Sequence, residues 1–115
     1  MRKVLVVAGS AKDFSSAKRY GELLFVSYGS TNLTNLSRHI ADFQRILSTL
    51  EEAPYILVSG YAVLNALLIM CALEFYKEIE VLIWDAKKKT YSDVLLSKEM
   101  LSIENLSLIG LHDDT

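Results

Sequence analysis

The sequence is poor in the residues that small folds use as staples and punctuation. In 115 residues there is one cysteine, Cys71, and one proline, Pro54. A lone cysteine excludes an intramolecular disulfide and a cysteine-rich zinc site, and it points to a reducing, cytoplasmic location. Charge of one sign is lacking too, with 12 Lys and Arg against 14 Asp and Glu and a net charge of -2. Such a balance supplies no field for duplex nucleic acid, which calls for a basic face that neutralises several phosphates. The apolar stretch after Arg2 and Lys3 is broken by Gly9 and Lys12, too soon for the h-region of a secretory signal. Internal repeats, low-complexity tracts and linkers are absent. So are the usual nucleotide fingerprints: GSAKDF does not have the spacing of G-x-x-x-x-G-K-[ST], and no strand is followed by G-x-G-x-x-G. ATP hydrolysis and NAD binding in their common forms are thereby excluded.

What is present is a globular composition, 51% apolar and 23% charged, in a length that suits one domain over residues 1–115. Val-rich residues 3–8 read as a first strand. Ser10 or Asp13 then caps a short helix with Phe14, Ala17 and Tyr20 inward, stopped by Gly21. A second strand follows at 22–27. Leu33, Leu36, Ile40, Phe43, Leu47 and Leu50 recur at steps of three and four, the signature of an amphipathic helix whose other face is Arg38, Asp42, Arg45 and Thr49. After Pro54 come a strand at 55–58, a turn at Ser59 and Gly60, and an apolar helix over 61–76. A fourth strand at 80–84 leads through DAKKKTYS, a solvated hairpin tip, to an antiparallel return at 94–96. A short helix from Ser97 and a weak strand at 106–111 complete the reading. Strands alternating with helices predict a small α/β, Rossmann-like domain, mainly parallel with a C-terminal antiparallel hairpin. The solid runs VLVV, LLFV, YILV and VLIW fit strands buried on both faces.

Residues 55–73, YILVSGYAVLNALLIMCAL, have nearly the length of a membrane span. Gly60 after a β-branched stretch and the flanking acids Glu51, Glu52, Glu74 and Glu78 favour a strand, turn and helix instead. From Ala62 to Leu73 that helix is apolar nearly all round, whereas packing on a sheet needs one apolar face. The second face calls for a cover, and a second copy of the chain, docked helix to helix about a two-fold axis, supplies it. Ala62, Ala66 and Ala72 permit close approach. The alternative is that the C-terminal segment folds over the helix.

Ligands of open α/β sheets bind beyond the carboxyl ends of the strands. Here those ends carry Gly9, Ser10 and Lys12, then Ser30, Thr31 and Asn32, then Ser59 and Gly60, with Asn65 opening the helix. Glycine allows close backbone approach, hydroxyls donate hydrogen bonds and lysine brings charge, a set that suits phosphate or ribose. It equally suits ordinary caps and turns. Asp85 is the one acid at a strand's carboxyl end. His39 reads as a helix-rim residue and Cys71 as a small buried hydrophobe. His112, Asp113 and Asp114 lie at the terminus, too poorly anchored for a metal site, so neither metal nor cofactor is expected, and catalytic residues are not identified.

The first strand ending in AGSAK, the second followed by GSTN, the third followed by SGYAVLNAL, and VLLSKEM after the hairpin together resemble the CRISPR-associated Rossmann-fold (CARF) sensors and the small stand-alone ring nucleases. The resemblance implies a homodimer that binds cyclic oligoadenylate across its two-fold axis. Ser10 and Lys12 match the first loop, and Ser59, Gly60 and Asn65 the second. No residue matches a catalytic histidine or arginine of these loops, which sets binding ahead of metal-independent ring cleavage. A non-catalytic interaction protein, or a nucleic-acid-binding accessory using Lys87, Lys88 and Lys89, for example of an archaeal virus, is the alternative.

Overall fold

A computed structural model describes residues 2–7, 13–26, 36–59 and 62–101. Five strands, β1 (Lys3–Val6), β2 (Glu22–Phe25), β3 (Tyr55–Leu57), β4 (Glu78–Asp85) and β5 (Thr90–Ser97), form one sheet in the order β2-β1-β3-β4-β5. The first four run parallel, and β5 returns antiparallel to β4. Two α-helices, α1 (Leu36–Thr49) and α2 (Ala62–Phe75), accompany two short 3-10 segments at Ser15–Arg19 and Lys98–Leu101. This is the expected α/β class. Among the described residues no helix is long and apolar enough to cross a membrane.

The crossovers explain how the layers divide. The chain steps one way from β1 to β2 and then back past β1 to β3 and β4. Right-handed connections therefore put the 15–19 segment on one face and both α-helices on the other. On the helical face Leu5, Val7, Ile56, Ile79 and Val81 pack with Phe43, Leu47, Leu64, Leu68 and Ala72. On the opposite face Val4, Val6, Leu57, Leu82 and Tyr91 meet Phe14 and Ala17. Val4 to Val7 are fully buried, as a strand covered on both faces requires. LLFV is different, because β2 is an edge strand and its Leu23, Leu24 and Phe25 stay half-buried.

The segment 15–19 is a 3-10 turn rather than an α-helix. It is too short to repay α-helix nucleation, and the Asp13 carboxylate starts it by accepting the Ser15 N–H at 2.8 Å. That bond holds Asp13 below the usual carboxylate range. Gly21 closes the turn where a Cβ would lie 2.0 Å from the Arg2 carbonyl oxygen, so only glycine lets β2 enter beside β1. Arg2 ties the amino ends of the strands together: its Nε donates to the Ala53 carbonyl at 2.8 Å, its guanidinium meets Glu80 at 2.9 Å, and it lies over the Tyr55 ring. β4 and β5 run longer than their apolar cores, from Glu78 paired with Ser97 to Asp85 paired with Thr90, because the hairpin ladder recruits the flanking polar residues.

Candidate functional site

In a sheet of order 2-1-3-4-5 the direction of strand addition reverses between β1 and β3. Connections leaving these two strands go to opposite faces, the arrangement at which open α/β sheets form a crevice at the carboxyl ends of their strands. Val7 ends one wall and Val58–Ser59 ends the other. The first and third predicted loops follow these two strands in the sequence. Gly9, Ser10 and Lys12 of the first, Ser30, Thr31 and Asn32 of the second, and Gly60 lie outside the described residues.

Ser59 and Asn65 are brought together. Asn65 sits in the first turns of α2, only 3% exposed, the one buried polar residue of the described core. Its Nδ2 donates to the Ser59 carbonyl at 3.1 Å, and its Oδ1 accepts the Ser59 N–H at 3.4 Å. A side-chain amide that meets both the N–H and the C=O of one residue fixes that residue's backbone on both sides, so Asn65 sets the exit of β3 and positions Ser59. The Ser59 Oγ is buried and has no hydrogen-bond partner among the described residues. Buried polar atoms are nearly always satisfied, and the exceptions call for a reason.

The other candidates resolve into structural roles. Asp85 Oδ1 accepts the N–H groups of Lys87 at 2.9 Å and Lys88 at 3.2 Å, so this acid shapes the hairpin turn. His39 is half-buried at the helix rim, its ring 6.1 Å from that of Phe43. Cys71 is buried, and burial with the nearby negative charge of Glu74 pushes its thiol up from its ordinary value. This describes an inert packing residue. On α2 the sheet-facing side is Leu64, Leu68, Cys71 and Ala72, while Val63 and Met70 stand 53% and 65% exposed beside exposed Ala62 and Ala66.

Two features escaped the sequence reading. VLIW lies on β4, interior between β3 and β5 as expected, yet its Ile83 and Trp84 are about half exposed at the hairpin end, which no described helix covers. The second is that Asn65, an expected ligand contact, also bonds the backbone of Ser59. A polar residue six positions after a strand's last serine was the available signal.

A family model matches residues 6–98, from the last residue of β1 to the first residue after β5. The chain belongs to the Phage Pam3 gp32-like protein family. The match takes in β2, β3, both α-helices and the β4–β5 hairpin, and of β1 its last residue, Val6. No curated protein and no solved structure matches the chain.

Proposed function

We propose that this Pam3 gp32-like chain is a homodimeric Rossmann-like protein that binds a nucleotide-type ligand at the β1/β3 switch point, in a groove across the dimer axis. The observation that carries the reading is Ser59 Oγ, a buried hydroxyl with no partner among the described residues, on a residue whose backbone Asn65 holds just beyond the carboxyl end of β3. A ligand phosphate or ribose oxygen satisfies it. Lys12, Ser10 and Gly60 supply charge, donor and backbone access from the adjoining loops. The loop resemblance to CARF sensors favours cyclic oligoadenylate, whose own symmetry suits a two-fold site, and with it a cytoplasmic protein. Metal-independent ring opening is the chemistry open to such a site. A ribose 2′-oxygen attacks its neighbouring phosphorus in line and the 5′-oxygen leaves, with the charge stabilised by lysine and backbone donors.

The dimer is proposed from α2. Val63 and Met70 present an apolar strip flanked by alanines that no described residue of the chain covers, and a second copy covers it by symmetry at a cost of no new sequence. The test is Ser59→Ala. Removing an unsatisfied hydroxyl leaves the unliganded stability equal or higher, while the thermal shift produced by cyclic oligoadenylate falls. An unchanged ligand shift in Ser59→Ala overturns the site. A second reading, a protein whose apolar helix serves assembly alone, rests on the same Val63 and Met70. It is separated from the first by a dimer that no nucleotide stabilises.

A further inference from the structure

The hairpin joining β4 and β5 holds features that neither the sheet nor the switch point uses. On the sheet face opposite the α-helices, Trp84 stands across from Tyr91 in the antiparallel register. The two rings meet edge to face with centroids 5.2 Å apart. Tyr91 is buried in the cluster that holds Phe14, Leu57 and Leu82, whereas the indole keeps 48% of its surface in solvent. A large aromatic ring is thus braced from beneath and left open. It is the only tryptophan of the chain.

Immediately beyond it the tip carries Lys87, Lys88 and Lys89, all exposed. The neighbouring acid, Asp85, faces the turn backbone. Among the described residues no carboxylate pairs with any of the three ammonium groups; Asp93, across from Leu82, is the exposed acid on the same face of the hairpin. Lys89 has φ 53°, the one described non-glycine residue in the left-handed region. Glycine or asparagine occupies that conformation at lower cost. The hairpin therefore holds a lysine at a position whose backbone favours its absence, and an outlier of this kind is where a functional constraint is expected.

We propose that the β4–β5 hairpin is a binding site for single-stranded nucleic acid, in which Trp84 stacks on an unpaired base and Lys87, Lys88 and Lys89 meet the flanking phosphates. Aromatic stacking beside a short cationic strip is the way sequence-tolerant single-strand binders work. A duplex offers no free base to the indole, and a strip of three charges neutralises too few phosphates to hold one. The site shares no residue with the switch-point crevice and goes beyond the reading given for it.

The single tryptophan reports the contact directly. An oligothymidylate is titrated into the full chain at low salt while indole emission and the anisotropy of a labelled strand are followed. Saturable quenching is expected, with log K falling against log salt with a slope of roughly -2, the value for three phosphates on a single strand. Trp84→Leu weakens binding by about tenfold or more. Lys89→Gly weakens binding while raising the unfolding midpoint by a few degrees, opposite signs that a merely structural turn residue does not give. The double variant Lys87→Gln, Lys88→Gln keeps the indole probe and lowers the salt slope. Unchanged emission, binding insensitive to salt, equal affinity for a duplex, or inorganic polyphosphate binding as tightly as oligothymidylate each overturns the proposal.

Discussion

Replacing Asn65 with alanine tests the positioning of Ser59. The bond from Nδ2 to the Ser59 carbonyl, at 3.1 Å, is of ordinary length; the one from the Ser59 N–H to Oδ1, at 3.4 Å, is long. Net contributions of about 1 and about 0.5 kcal/mol are appropriate for such a pair. Truncation also leaves two Ser59 backbone groups short of partners at the part-buried exit of β3, a further cost of about 1 kcal/mol. Alanine is the better helix former and returns about 0.5 kcal/mol within α2. The balance is a loss of about 2 kcal/mol. For 115 residues the unfolding entropy is roughly 0.24 kcal/mol/K, so the midpoint falls by roughly 8 °C. Urea unfolding followed by circular dichroism measures the same loss as a shift of about 1 M at an m-value near 2 kcal/mol/M. Asn65→Asp is worse, because a carboxylate oxygen replaces the donor opposite the Ser59 carbonyl in a nearly closed site. A loss below about 0.5 kcal/mol for Asn65→Ala refutes the clamp, and Ser59 would then be held by other means.

Three further outcomes follow from other parts of the structure. Gly21→Ala forces a Cβ against the Arg2 carbonyl at 2.0 Å and destabilises by about 1–3 kcal/mol, as overpacking against backbone does; denaturant unfolding measures it, and a neutral result contradicts the close approach of β2 to β1. Met70→Glu changes a residue that is 65% exposed in one chain, so the folded monomer tolerates it, while the proposed dimer dissociates in sedimentation velocity; a variant that still sediments as a dimer excludes α2 as the interface. Because burial raises the Cys71 thiol above its ordinary value of 9.0, the thiolate form is disfavoured in the folded chain. Its contribution to stability is complete below the unfolded pKa and is lost as pH rises through the folded one. Iodoacetamide at pH 8 labels the native protein at least about tenfold more slowly than the urea-unfolded chain, and equal rates refute the burial.

Much of this fold was legible because the strands announce themselves. VLVV and YILV are unbroken apolar runs, and the stripe from Leu36 to Leu47 has helical spacing, so their order alone gave a parallel sheet with a closing hairpin. What pattern does not carry is lateral position. LLFV and VLIW look as apolar as VLVV, but one lies at an edge and the other outruns the helices, and burial depends on neighbours that local sequence does not name. The switch point was not legible for the same reason, since it follows from which strands are central. Nor was the pairing of Asn65 with the Ser59 backbone, because nothing in the two letters six positions apart names that contact. Asp85 is a similar case: the end of an interior strand is a functional position in many sheets, and here its carboxylate is taken up by two backbone N–H groups of the turn.

The most direct test of the account is thermal unfolding of the wild-type chain with mononucleotides, linear oligoadenylates and cyclic oligoadenylates. A ligand at about 100 times its dissociation constant stabilises by roughly 2.7 kcal/mol, which for this chain is an upward shift of roughly 10 °C. The account predicts that shift with a cyclic oligoadenylate and its reduction in Ser59→Ala. No shift with any nucleotide contradicts a ligand site at the switch point and leaves the exposed face of α2 as an assembly surface alone.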